Sequence, residues 1–131
     1  MNWIAWDPRS YGGALLGGAA GFLLFGRLVQ HGWSAPSVVG LLMGLGCALV
    51  TRERSSMRGI VLAIGAAWIS AAAQVYYQPP AGTEGMLAGL MQFHSTLGGS
   101  VLLGHLGSML AAFLLGRCSF RRDAKQRLAG A

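Results

Sequence analysis

The feature that most constrains this sequence is an uncharged apolar run at residues 97–116, LGGSVLLGHLGSMLAAFLLG. A helix rises about 1.5 Å per residue, so a run of this length matches a hydrocarbon core roughly 30 Å thick and predicts a transmembrane helix. Small residues recur every four positions along the run, which predicts a face for close contact with another helix. They are Ser100, Gly104, Ser108 and Ala112.

Three further apolar runs, at residues 11–30, 36–51 and 59–77, have the same character. With 53% hydrophobic and 11% charged residues, the chain has too few polar side chains to cover a soluble globule. The sequence therefore predicts an all-α fold, a single membrane domain over residues 1–131 with four transmembrane helices. The small residues expected at helix contacts are Gly13, Gly17 and Gly21 in the first run, Gly40 and Gly44 in the second, and Ala63 and Ala67 in the third.

The basic residues predict how these helices are oriented. All of the ten except Arg27 fall before the first run, between the second and third, or after the fourth, in the tail at residues 117–131. Because short cytoplasmic segments are enriched in Lys and Arg, this distribution predicts an N-in, C-in topology with a basic cytoplasmic tail. The net charge of +6 then reflects membrane topology, and we expect no binding to nucleic acid.

The segments outside the four runs are expected to lie at the membrane surfaces. Residues 1–10 contain two tryptophans and predict an interfacial arm, whose last residue, Ser10, can cap the first helix. Residues 83–94 place apolar side chains on one helical face and predict a short interfacial helix on the outer side. Cys47 and Cys118 have no metal-ligand spacing and are interpreted as packing residues.

The acidic residues give no indication of catalysis. Asp7, Glu53, Glu84 and Asp123 all lie outside the predicted spans, and they form no pair with a nucleophile or base. An acid at membrane depth, on which transporters of the small multidrug-resistance type depend, is missing too. We therefore expect a protein that is not an enzyme.

His105, near the middle of the fourth run, is the candidate for a special role, and two interpretations stay open. Its imidazole can hydrogen-bond a polar group on a neighbouring helix, such as Ser70 or Gln74. Alternatively, the small residues on its side of the helix leave a groove in which a haem or a chlorophyll-type pigment could lie, with His105 as axial ligand. No metal site is predicted.

The segments GGALLGGAAGFLLFG, VVGLLMGLG and RGIVLAIGAA resemble uncharacterised small glycine-rich inner-membrane proteins of bacteria over residues 11–78. The resemblance implies a four-helix fold in the bacterial cytoplasmic membrane and no particular activity. Residues 18–27 are also similar to the glycine-rich first helix of dimeric fluoride channels, but the asparagine and the phenylalanine-threonine motif of that family are missing.

The sequence favours a non-catalytic integral membrane subunit that packs against the helices of a larger complex or of a second copy. The partners expected are the lipid bilayer and other membrane-protein subunits. One alternative is a small oligomeric channel or transporter. A second is a pigment- or haem-binding membrane subunit that uses His105.

Overall fold

A computed structural model describes residues 8–51, 53–79, 85, 87–89, 99–118 and 120–130 of the chain. The described part is all α-helical and contains no strand. Its helices are α1 (Pro8–Gln30), α2 (Ser37–Val50), α3 (Ser56–Tyr77), α4 (Gly99–Gly116) and α5 (Phe120–Ala129). By length and composition α1 and α3 can cross a membrane, whereas α2 and Val101–Gly116 of α4 form shorter apolar helices.

Two predicted surface segments are described only in part. The interfacial arm keeps residues 8–10, which are helical and belong to α1. Of the interfacial helix expected at residues 83–94, the structure describes Gly85 and a helical stretch at residues 87–89, where the Gly89 amide donates to the Gly85 carbonyl at 3.1 Å. The remainder of both predictions lies outside the described residues.

The helix ends differ from the sequence prediction at three places. Ser10 lies inside α1 and does not cap it, because the helix already begins at Pro8, a residue suited to a first helical turn. α3 begins three residues early because the hydroxyl of Ser55 accepts a hydrogen bond from the Arg58 amide at 3.4 Å and caps its first turn. The basic tail, for which the sequence predicted no helix boundaries, contains α5.

α2 occupies the centre of the bundle. It packs most extensively against α1 and α4, and it also contacts α3. α3 in turn packs along α4 and touches α1, whereas the described residues of α1 and α4 do not meet. In cross-section the four helices therefore form a diamond, with α2 and α3 across the short diagonal and α1 and α4 at the far corners.

α1 and α2 run antiparallel and meet backbone to backbone. Side chains added at Gly13 or Gly17 would overlap the carbonyl groups of α2, and a Cβ atom at Gly21 would lie 2.8 Å from the Cα atom of Val39. At one end of this contact the hydroxyls of Ser10 and Thr51, both fully buried, are hydrogen-bonded to each other. The predicted small-residue row of the first span therefore faces the second span of the same chain.

α2 and α4 run parallel and cross just as closely. A Cβ atom at Gly104 would lie 2.5 Å from the ring of Pro36, and one at Gly40 would overlap the backbone of Ser108. One turn further along, a Cβ atom at Gly44 would lie 3.1 Å from the Cα atom of Ala112. The small residues that recur every four positions along α4 thus pack on those that recur every four positions along α2. Ser100 lies in the first turn of α4, and its side chain is not among those described.

The buried face of α3 is rotated from the predicted one. Ala63 is buried as expected, but Ala67 is half-buried at the edge of the face. Leu62, Ala66 and Ser70 are the fully covered residues at intervals of four on α3. In this register α3 meets α4 through side chains as well as through backbone.

The outward surfaces of the four apolar helices carry large apolar side chains. Exposed examples are Leu16 and Leu23 on α1, Leu41 on α2, Ile64 and Trp68 on α3, and Leu103 and Leu110 on α4. Apolar exteriors of this kind are suited to contact with a membrane or with another protein. Each helix is therefore divided into an inner face of small residues and an outer face of large apolar ones.

Candidate functional site

A polar cluster is buried in the seam between α3 and α4. We call it the seam cluster and define it as Ser70 and Gln74 on α3 with His105 and Ser108 on α4. All four residues are buried, Ser70 and Ser108 completely. The pairs are spaced by four and three residues, so each pair lies on one helix face, and the two faces meet where Ser70 Oγ lies 2.8 Å from His105 Nδ1.

The hydrogen bonds of Ser70 determine which nitrogen of His105 carries the proton. Ser70 Oγ also lies 3.1 Å from the Ala67 carbonyl oxygen, to which it donates its hydroxyl hydrogen. With its one hydrogen donated to Ala67, Ser70 accepts from His105, an arrangement that corresponds to the tautomer with the proton on Nδ1. Ser70 is thus one of the two partners named for His105 from the sequence.

The small residues beside His105 do not leave an open groove. Ser108 and Ala112 are completely buried because Gly40 and Gly44 of α2 lie against them. The faces of Ser108 and Ala112, beside which the second interpretation places a macrocycle, are therefore covered by a helix of the same chain. No group of three or more His, Cys, Asp or Glu residues placed to hold a metal occurs in the described part of the chain.

The seam cluster continues through Gln74 and Gln78 towards the end of the bundle where α1 ends and α2 begins. Gln74 Nε2 donates to Gln78 Oε1, which also accepts from Ser34 Oγ at 3.4 Å. Gln74 Oε1 and Ser108 Oγ are buried, and neither has a hydrogen-bond partner among the described residues. The cluster is therefore a polar strip between α3 and α4, and Gln74 connects it through Gln78 to the loop before α2.

The opposite end of the bundle is basic, and a buried arginine holds it together. Arg58, in the first turn of α3, is 3% exposed. Its Nε donates to the carbonyl oxygen of Gly116 at 2.9 Å, and its Nη2 donates to the carbonyl oxygen of Glu53. Arg58 therefore joins the loop before α3 to the last residue of α4, whose carbonyl is at the negative end of the helix dipole. With the Ser10–Thr51 contact, this places the start of α1 and the end of α2 near the start of α3 and the end of α4, at what we call the basic end.

Several structural residues were not predicted from the sequence. Arg58 was interpreted as a loop base, although its position directly before an apolar helix indicated a first-turn side chain. At the end opposite the basic end, the ring of Tyr77 fills the space beside Gly26. The ring also packs against Phe22 and Phe25, with centroid distances of 5.2 and 6.1 Å. A pair of tyrosines at the end of a span indicated an interface position; their packing against α1 required the helix arrangement.

Comparison with known proteins assigns no family to this chain. No protein-family model matches it, and neither a curated protein nor a solved structure is detectably similar. Functional inference therefore depends on the geometry described above.

Proposed function

We propose that this chain is a four-span integral membrane protein, with the basic end on the cytoplasmic side of a bacterial inner membrane. Two features support the proposal. The exteriors of all four apolar helices carry large apolar side chains. Apart from Arg27, the described basic residues lie in the first turns of α1 and α3, in the loop between α2 and α3, or after α4. At the opposite end Arg27 is exposed in the last turn of α1, where its long side chain reaches the headgroup region.

The length of α2 bears on how the protein sits in the bilayer. Its 14 residues extend over only about 21 Å, less than the roughly 30 Å of a typical hydrocarbon core. A short central helix is accommodated when the bilayer thins locally or when longer neighbouring helices cover it. α1 and α3, with 23 and 22 residues, are the long neighbours of α2 in this bundle.

Within the membrane we propose a non-catalytic role as a subunit that packs against other helices, either of a larger complex or of a second copy. The observation that carries this proposal is the division of each helix into two faces. The small-residue faces of α1, α2 and α4 are filled within the chain, so a partner has to dock on the outer faces, above all at the corner helices α1 and α4. We assign the seam cluster a structural role: it fixes the register of α3 against α4.

The decisive experiment combines native purification with a scan of the outer faces. The protein, expressed at its natural level and extracted in mild detergent, should elute with a partner subunit or as a defined oligomer. Tryptophan substitutions at exposed positions should leave the bundle folded, and at least one should release the partner. Suitable positions are Leu15, Ala20, Ile64, Leu103 and Leu110.

Two results would count against the subunit role. One is a lone monomer that co-purifies with nothing. The other is an assembly that survives every substitution of the scan. Selective flux of an ion or small solute in liposomes of the purified chain would instead support the channel alternative.

A further inference from the structure

A small cavity opens at the basic end, where the loop between α2 and α3 meets the end of α4. Its volume is about 200 Å³, and its described lining consists of Arg54, Ser55 and Ser56 from the loop and the start of α3, and Arg117 and Cys118 after α4. We call it the basic cavity. Two guanidinium groups and two hydroxyl groups therefore border one small space, and all of these groups can donate hydrogen bonds.

The electrostatic surroundings of the basic cavity favour an anion. No carboxylate belongs to the described lining, and the first turn of α3 has no acidic residue. Arg58 lies one turn along α3 from Ser55, and the hydrogen bonds that the structure describes for its guanidinium both end on backbone carbonyls. The positive charge of Arg58 and the positive end of the α3 dipole therefore both lie close to the cavity and favour an anion there.

The size and position of the cavity narrow the class of anion. Pockets for drug-sized ligands measure roughly 300–1,000 Å³, so this cavity suits a group no larger than a phosphate and its ester substituents. Arginine pairs bind phosphate oxygens well because the planar guanidinium presents paired donors. The cavity also lies just beyond the ends of the apolar helices, at the level of the lipid headgroups if those helices span the bilayer.

We propose that the basic cavity binds the phosphate group of an anionic phospholipid from the cytoplasmic leaflet. This inference rests on the proposed membrane placement. Arg54 and Arg117 contact the phosphate oxygens, the hydroxyls of Ser55 and Ser56 donate to them, and the acyl chains lie along the exposed apolar sides of α3 and α4. Inorganic phosphate has the same recognition chemistry, but it lacks the acyl chains that these surfaces would cover.

The chain contains its own reporter for this site. Cys118 is half-buried in the cavity wall, whereas Cys47 is completely buried in the core. A maleimide should therefore react first at Cys118, with a Cys118→Ser variant as the blank. In lipid nanodiscs, phosphatidylglycerol should protect Cys118 from the maleimide, and phosphatidylcholine should not.

Two double variants, each of which removes two positive charges, test whether the basic cavity recognises the phosphate group. Arg54→Gln with Arg117→Gln should raise the phosphatidylglycerol fraction needed for half-protection about 25-fold, since each basic residue near an anionic surface contributes about 5-fold. The control, Lys125→Gln with Arg127→Gln, removes two charges from exposed positions of α5 outside the described cavity lining and should leave half-protection within about 2-fold of the parent.

Three results would overturn the proposal: equal protection by the two lipids, equal loss in both double variants, or full protection by inorganic phosphate in phosphatidylcholine nanodiscs. The last result would assign the cavity to free phosphate. A chain that does not insert into the nanodiscs would contradict the membrane placement itself. A chain that inserts and shows no lipid preference would leave that placement intact and remove the lipid site alone.

Discussion

The two neighbours of α4 contact it in different ways. On the α2 side the contact is made by backbone, with Gly40 against Ser108 and Gly44 against Ala112. On the α3 side, polar side chains add to the contact, through the hydrogen bond between His105 and Ser70 and that from Arg58 to the Gly116 carbonyl. The comparison teaches that small residues let two helices approach closely, while buried polar groups select one register among those that the small residues allow.

The two kinds of contact differ in how they respond to change. A backbone crossing has no side chain that can move aside, so an added group must separate the helices. A polar seam can lose one hydrogen bond and keep its geometry, at the cost of the bond and of the group left without a partner. Substitutions at the crossing should therefore be far more damaging than substitutions in the seam.

The largest effect is expected for Gly40→Leu. The new side chain would occupy the position of the Ser108 backbone, so α2 and α4 would have to move apart along their whole contact. We expect a loss of more than about 3 kcal/mol in the free energy of unfolding, measured by denaturation in mild detergent. Gly104→Leu should also lower the free energy of unfolding, because its new side chain would meet the ring of Pro36.

Gly12→Leu is the matched control for the crossing. No atom lies within 4 Å of a Cβ atom built at Gly12, so the same change in side chain meets open space. It should leave stability unchanged or raise it by up to about 1 kcal/mol, the helix-propensity gain over glycine. Equal effects of the Gly12 and Gly40 substitutions would show that the close α2–α4 crossing is wrong.

Arg58→Met should have the next largest effect. It removes the donor to the carbonyl oxygens of Gly116 and Glu53, which are then left without that partner at the basic end. We expect a loss of about 2–3 kcal/mol, typical of hydrogen bonds from a charged group, in the same denaturation assay. Arg127→Gln, exposed on α5, should change stability by less than about 0.5 kcal/mol. A loss as large in the control would mean that charge near the basic end, and not the hydrogen bonds of Arg58, stabilises the bundle.

The smallest effect is expected in the seam cluster. In a double-mutant cycle of Ser70→Ala and His105→Leu we expect a coupling free energy of about 0.6–1.7 kcal/mol, the range for hydrogen bonds between membrane helices. The native assembly should show no visible absorption band that depends on His105. A band abolished by His105→Leu would contradict the structural role and make His105 an axial ligand.

The sequence predicted helices well and their partners less well. A four-residue spacing shows that Gly40 and Gly104 lie on faces suited to close contact, but it cannot show that α2 and α4 face each other. That pairing depends on the order of helices around the bundle, which is set by contacts far apart in the chain. The boundary of α3 was predictable in principle, since Ser55 precedes a helical run and is a common capping residue.

The candidate sites, too, could be predicted from the sequence only where they do not depend on which helices pack together. His105 and its partner Ser70 could be named from the sequence because both are polar residues in apolar runs. The basic cavity could not be named, because Arg54 and Arg117 are far apart in sequence and are brought together only when α3 and α4 pack. The rotation of the buried face from Ala67 towards Ala66 and Ser70 likewise depends on the partner helix.

The central claim, that the bundle spans a membrane with its basic end in the cytoplasm, is tested most directly by thiol accessibility from the two sides. In a Cys118→Ser chain, a Gln126→Cys substitution marks the basic end and a Ser34→Cys substitution marks the opposite end, and both positions are exposed. With a membrane-impermeant maleimide, we predict that the thiol introduced by Ser34→Cys reacts in intact spheroplasts and that the thiol introduced by Gln126→Cys reacts only after the membrane is permeabilised. Reaction of both thiols from the same side would contradict the account.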